Sequence, residues 1–202
     1  DDDNIRGSAE HNTLNGGLGN DRLTGYGGDD TLIGGDGDDT FVFDADSNLG
    51  SDIIFESVGS GGSDTLDFSS TTTQAIHISL GRGITQSVNA NLELRLRTCH
   101  SIENVIGGSL ADELSGNSLA NRLEGRAGND KLNGDWGDDT YVFDADSALG
   151  TDEIAEESNT DGGIDTLDFS STTALAIDVN LATAATQTVN ANLNLRFPSS
   201  TA

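Results

Sequence analysis

The stretch Gly16–Val42, GGLGNDRLTGYGGDDTLIGGDGDDTFV, decides how the rest of the chain is read. It divides without a gap into three nonapeptides that begin at Gly16, Gly25 and Gly34, and a weaker copy, GSAEHNTLN, precedes it from Gly7. Glycine favours the first, second and fourth places, an acid or its amide the sixth, and an apolar residue the eighth. Glycines in the six-residue turn permit positive φ and close backbone approach, so successive carbonyls can face one concavity. The remaining three residues read as a strand with one inward side chain, namely Ile5, Leu14, Leu23, Leu32 and Phe41. So short a strand buries too little to stand alone, and the segments must stack on one another around a narrow shared core. The Gly and Asp content disfavours helix.

Working outward, the block recurs 100 residues on, as GGSLADELS, GNSLANRLE, GRAGNDKLN and GDWGDDTYV from Gly107 to Val142. Its inward residues are Val105, Leu114, Leu123, Leu132 and Tyr141. The flanks are duplicated as well: TFVFDADSNLGSD from Thr40 matches TYVFDADSALGTD from Thr140, and DTLDFSSTT occurs at both Asp64 and Asp165. The chain therefore reads as two homologous units, 1–100 and 101–202. Each has a nonapeptide array (7–42 and 107–142) followed by a Ser/Thr-rich section (43–100 and 143–202) whose alternation, as in Ile76, Ile78 and Leu80, predicts half-buried strands. The expected fold is all-β, a parallel β-roll or solenoid of two tandem units, with the strand sections continuing the coil through longer, metal-free turns.

Charge narrows the function. Nine Lys+Arg stand against 35 Asp+Glu, a net of −26. Such a surface repels phosphate backbones and anionic headgroups, which argues against nucleic-acid binding and membrane insertion and in favour of metal cations. Among the acids, 9 are Glu and 26 are Asp, the shorter carboxylate that holds a cation close to a tight loop. The single cysteine, Cys99, forms no internal disulfide, and no basic neighbour or C-x-x-C accompanies it. The chain has no Met and opens on Asp1-Asp2-Asp3-Asn4, so it is expected to be part of a larger parent protein with neighbouring domains.

Two nonapeptides make one 18-residue coil, so turns 18 apart lie over one another. Asp21 then stacks on Asp39 and Asp112 on Asp130. Carboxylates packed in rows repel unless a cation lies between them. All-oxygen ligands in a flexible loop favour Ca²⁺ over Mg²⁺ and over thiolate or imidazole metals.

At these residues the chain resembles the RTX family, the glycine-rich calcium-binding nonapeptide repeats of secreted proteins. The resemblance implies a parallel β-roll with several Ca²⁺ ions between its turns. Each ion would be held by carbonyls of places two and four and the carboxylate of place six, with carbonyls of places one and three and the carboxylate of place six from the turn 18 residues later. Carried over, this implies one site from Gly17, Gly19, Asp21, Gly34, Asp36 and Asp39. Its counterpart in the second unit comprises Gly108, Leu110, Asp112, Gly125, Ala127 and Asp130. Weaker sites follow where an amide replaces the acid, Asn12 with Gly25, Gly27 and Asp30, and Asn121 with Gly134, Trp136 and Asp139. Glu103 with Asn121 is the poorest edge. Resemblance also implies secretion, or display at the cell surface, through a type I system.

After each array comes FDADS, in which Asp44 and Asp46, with Asp52, and Asp144 and Asp146, with Asp152, read either as a capping Ca²⁺ site or as an Asx-turn facing water. Asp64, Asp67, Asp165 and Asp168 alternate with apolar residues and are expected to point outward. Enzyme chemistry is not expected. His11, His77 and His100 accompany no GxSxG string, and His77 is replaced by Asp178 in the second unit. The expected function is a calcium-binding structural module that folds outside the cell; a glycan- or ice-binding adhesion module is the second reading.

Overall fold

The computed structural model describes residues 1–56, 62–98, 100–155, 163–181 and 185–197. Cys99 lies outside the described residues. In chain order the strands are β1 (Asn4–Ser8), β2 (Thr13–Leu18), β3 (Arg22–Tyr26), β4 (Thr31–Asp36), β5 (Thr40–Val42), β6 (Gly50–Phe55), β7 (Thr65–Asp67), β8 (His77–Ser79), β9 (Thr85–Ser87) and β10 (Leu92–Leu96). They continue as β11 (Asn104–Ile106), β12 (Glu113–Asn117), β13 (Arg122–Glu124), β14 (Lys131–Asp135), β15 (Thr140–Val142), β16 (Gly150–Ile154), β17 (Thr166–Asp168), β18 (Gln187–Thr188) and β19 (Leu193–Arg196). No helix occurs among the described residues, and none is long and apolar enough to cross a membrane.

Successive strands alternate between two faces, as a coil requires. One face is a single eight-stranded sheet in the order β1-β3-β5-β7-β11-β13-β15-β17. The other is two sheets, β2-β4-β6-β10-β9 and β18-β19-β16-β14-β12-β8. All named pairings are parallel except the β9–β10 and β18–β19 hairpins. Within the arrays the register is 18 residues: Ile5 lies beside Leu23, Leu23 beside Phe41, and Leu14 beside Leu32. The strand sections lengthen the coil, setting Leu32 beside Ile54 and Phe41 beside Leu66. They also depart from a plain coil, because the β9–β10 hairpin closes one sheet where β8 opens the next.

The inward residues form the core. Leu23, Leu32, Phe41, Leu66, Val105, Leu114, Leu123, Leu132 and Tyr141 are fully buried, each contributing roughly 1.5–3 kcal/mol by leaving water. Phe43 stacks on Phe68 and Phe143 on Phe169, both at 5.3 Å between ring centroids. One expectation fails here. Asp64 and Asp67 are buried, whereas Asp165 is exposed and Asp168 only half-buried. β7 is covered by β11, but β17 is the last strand of its sheet, so the same string meets different surroundings.

Candidate metal centre

The turns owe their shape to three places doing different things. Place two takes positive φ even without glycine, at Tyr26 (68°), Arg126 (69°) and Asp135 (73°) as well as at Gly17 and Gly35. Place four does so at Gly19, Gly28, Gly37, Gly128 and Gly137. Place one has no such backbone. There the requirement is room, since a Cβ at Gly16, Gly25, Gly125 or Gly134 would run into the place-six carboxylate of its own turn.

That packing lines the carboxylates up along both edges of the coil. On one edge, backbone N–H groups donate to the Oδ1 of the next coil: Asp3 to Asp21 (2.7 Å), Asp21 to Asp39 (2.8 Å), Asp39 to Asp64 (2.9 Å), and Asp64 to Glu103 Oε2 (2.9 Å). Past Glu103 the row resumes with Asn121 to Asp139 (2.8 Å) and Asp139 to Asp165 (3.1 Å). The opposite edge runs Asn12 to Asp30 (2.7 Å) and Asp30 to Asp52 (2.8 Å), then Ile76 to Asp112 (2.8 Å), Asp112 to Asp130 (2.9 Å) and Asp130 to Asp152 (3.0 Å). One oxygen of each acceptor is thereby spent on the backbone.

The second oxygens carry the chemistry. Asp21, Asp30, Asp39, Asp52, Asp130 and Asp139 each bury an Oδ2 with no hydrogen-bond partner, and Glu56 buries such an Oε2. An orphaned buried carboxylate oxygen costs several kcal/mol unless a proton or a cation meets it. Burial accordingly pushes Asp52, Asp64 and Asp152 up to about 7 and Asp130 up to about 8. It pushes Asp112 and Asp139 up to about 6. The place-six amides carry no such orphan; Asn121 donates to the Glu103 carbonyl at 3.0 Å. The donor set is thus carboxylate and carbonyl oxygen in buried rows, which fits a hard divalent cation of calcium type.

Several turn carbonyls lie against glycines of a neighbouring coil. Those of Gly17, Gly19, Leu110 and Gly128 face the glycines of the next coil, Gly35, Gly37, Gly128 and Gly150. The carbonyls of Gly25, Gly34, Gly125 and Gly134 lie against Gly7, Gly16, Gly107 and Gly116, beside the acids or amides of those turns. Asp36 instead gives its carbonyl to the Gly19 N–H at 2.8 Å. The Gly108 N–H donates to Asp112 Oδ2 at 2.7 Å. Gly27 sits under the Asn48 carbonyl, Ala127 lines a surface cavity with Asp144, and the Trp136 side chain is exposed.

The acids after the arrays divide. Asp44 and Asp144 accept the N–H of Asp46 and Asp146, an Asx-turn arrangement. The Asp46 carboxylate takes both N–H and hydroxyl of Thr72 and of Thr73 at 2.8–2.9 Å, and Asp146 does likewise with Thr173 while also accepting the Ala174 N–H. Asp52 and Asp152 do not join them; they extend the buried row of Asp30 and Asp130. Sequence reasoning missed these two, and Glu56 and Asp64, as ladder members. The signal was present, since Asp52-Ile53-Ile54 and Asp64-Thr65-Leu66 repeat the acid-x-apolar string of places six to eight. His11 and His77 are exposed beside Asp29 and Glu113.

The sequence profile of the Peptidase M10 serralysin C-terminal family matches residues 45–201. That of the RTX calcium-binding nonapeptide repeat (4 copies) matches residues 1–32 and 16–49, and the ion of these repeats is calcium. No curated protein matches the chain.

Proposed function

The chain belongs to the Peptidase M10 serralysin C-terminal family, and on that footing we propose that it is a non-catalytic, calcium-folded module of a larger exported protein. The observation that carries this reading is the pair of buried carboxylate rows with orphaned oxygens. Bound calcium would supply positive charge to those oxygens. The residues expected to hold it are Asp21 with Asp39, Asp112 with Asp130, Asp30 with Asn12, Asp139 with Asn121, and the turn carbonyls facing them.

The mechanism is linkage between ligand and fold. Ordering the glycine turns costs roughly 1–2 kcal/mol of backbone entropy per residue, and a net charge of −26 opposes compaction. Each array strand sends a single large apolar side chain inward, so its burial offsets only part of this. In a low-calcium interior the chain stays largely unfolded, which suits export. At the Kd of roughly 10⁻⁴ to 10⁻³ M common to extracellular calcium modules, it folds outside.

Far-UV circular dichroism after chelator treatment tests this, with CaCl₂ titrated in and MgCl₂ as control. The expected result is a coil-to-β transition with calcium alone, weakened by Asp21→Ala. A β spectrum in chelator that calcium leaves unchanged overturns the reading.

A further inference from the structure

The first array does not end as its interior repeats do. Over Gly16 the direction of a Cβ is filled by the Asp21 carboxylate and the carbonyl of Gly34 in the next coil. The same pair, a place-six side chain and a place-one carbonyl of the next coil, stands over Gly7, Gly107 and Gly116. Over Gly34 the Asp39 carboxylate is in its usual place, but the carbonyl is replaced by Glu56 Oε1. Glu56 follows β6 and reaches this point because the coil has lengthened, and the Gly34 N–H donates to its Oε1 at 2.8 Å. Asp64 completes the group by accepting the Asp39 N–H.

Asp39, Glu56 and Asp64 are all buried, and each offers an oxygen within 4.8 Å of the others. Asp39 is 1% exposed and Glu56 7%, each carries an unpartnered oxygen, and that of Asp39, Oδ2, lies over Gly34 beside Glu56 Oε1. No lysine or arginine among the described residues pairs with any of the three. Two carboxylates and a carbonyl have thus become three carboxylates at a single step of the coil.

We propose that Asp39, Glu56 and Asp64 form a calcium site distinct from those of the repeats, in which the Glu56 carboxylate takes the part played elsewhere by a place-one carbonyl. More formal charge on the ligands raises affinity for a hard divalent cation, so this is the tightest site of the first array and the first to fill. It anchors the array at its C-terminal end, where the regular 18-residue register is lost. The proposal rests on the calcium-module reading, and the experiment separates the two failures.

Bound ions per chain are counted by native mass spectrometry across a calcium titration, for the wild type, Glu56→Gln and Asp21→Asn, with circular dichroism confirming the fold at saturating calcium. The expected result is that Glu56→Gln binds one ion fewer and loses the tightest class, its first midpoint rising roughly tenfold or more. Asp21→Asn should retain that class. If the wild type binds calcium while Glu56→Gln matches its count and first midpoint, the site is refuted and the module reading stands. If the wild type binds no calcium, both fall. Should Glu56→Gln fail to fold, crystals of the wild type grown with a lanthanide decide: an anomalous peak among the three carboxylates supports the site, and none there overturns it.

Discussion

Replacing Asp130 by Asn should make the fold less dependent on calcium while weakening the response to it. Asp130 is 1% exposed, accepts the Asp112 N–H, donates its own N–H to Asp152, and carries an orphaned Oδ2. Burial, with the neighbouring Asp152 and Asp112 charges, pushes it up to about 8. At pH 7 the metal-free fold must therefore keep a proton on a group whose ordinary value is 3.8. At about 1.4 kcal/mol per pH unit this costs about 4 kcal/mol. Asn needs no proton, keeps the acceptor for Asp112, and already occupies place six at Asn12 and Asn121. In chelator at pH 7, Asp130→Asn should thus shift the folding balance toward the β form by about 2–4 kcal/mol. In calcium it should bind fewer ions and respond with a smaller change, since Asp130 faces both Asp112 and Asp152. Circular dichroism in chelator and through a calcium titration reads both effects. A variant as unfolded as the wild type in chelator, with the same calcium midpoint, would refute the claim that the carboxylate rows oppose the metal-free fold.

The same geometry sets further outcomes. Asp52, Asp130 and Asp152 are raised from 3.8 to about 7, 8 and 7, so their contribution to the metal-free fold is fully present below pH 4 and is lost progressively as pH rises to 7–8. Protons and calcium compete for these oxygens, and the calcium midpoint should move to higher concentration as pH falls from 8 to 6, measured by titration at fixed ionic strength. Gly134→Ala would drive a Cβ into the Asp139 carboxylate and should cost about 1–3 kcal/mol, seen as a lower Tm in saturating calcium. Gly27→Ala, whose nearest neighbour is the Asn48 carbonyl at 3.2 Å, should be close to neutral, as Ala127 at the matching place suggests. Hydrogen exchange should protect Thr65–Asp67, held between two strands, by an order of magnitude or more over Thr166–Asp168 at the sheet's edge, and equal protection would contradict the pairing described.

The 18-residue register and the eighth place, buried from Leu23 onward, were legible because both depend on a strict period, and a period needs no knowledge of partners. Leu23 beside Phe41 and Leu114 beside Leu132 follow from counting alone. The acid rows were legible within the arrays for the same reason. Where the coil lengthens by insertions of unequal size the acid-x-apolar string survives but the period does not, so it was not read: Asp52 lies 22 residues from Asp30 and Asp64 lies 25 from Asp39. Glu56 was harder still, since a carboxylate there stands in for a backbone carbonyl and no residue pattern announces a carbonyl. The hairpins of β9 and β18 escaped because alternation marks a strand without giving its direction.

Asp64–Thr72 and Asp165–Thr173 are the same nine residues, yet Asp64 is buried and Asp165 exposed. The difference lies in what is stacked above them. Asp64 donates its N–H to Glu103 of the following coil and accepts from Asp39 beneath, whereas Asp165 accepts from Asp139 at the end of its sheet. On the proposed reading, a metal site is therefore a property of two adjacent coils rather than of a single nonapeptide. Removing a coil should abolish the sites on both of its faces, and adding one over β17 would bury Asp165 as Asp64 is buried. If calcium fills the proposed sites between neighbouring coils, filling one edge should order the turn that the next ion needs. That predicts a calcium-folding curve steeper than independent sites would give, with a Hill coefficient above one, and a non-cooperative curve would show that the coils fold independently of one another.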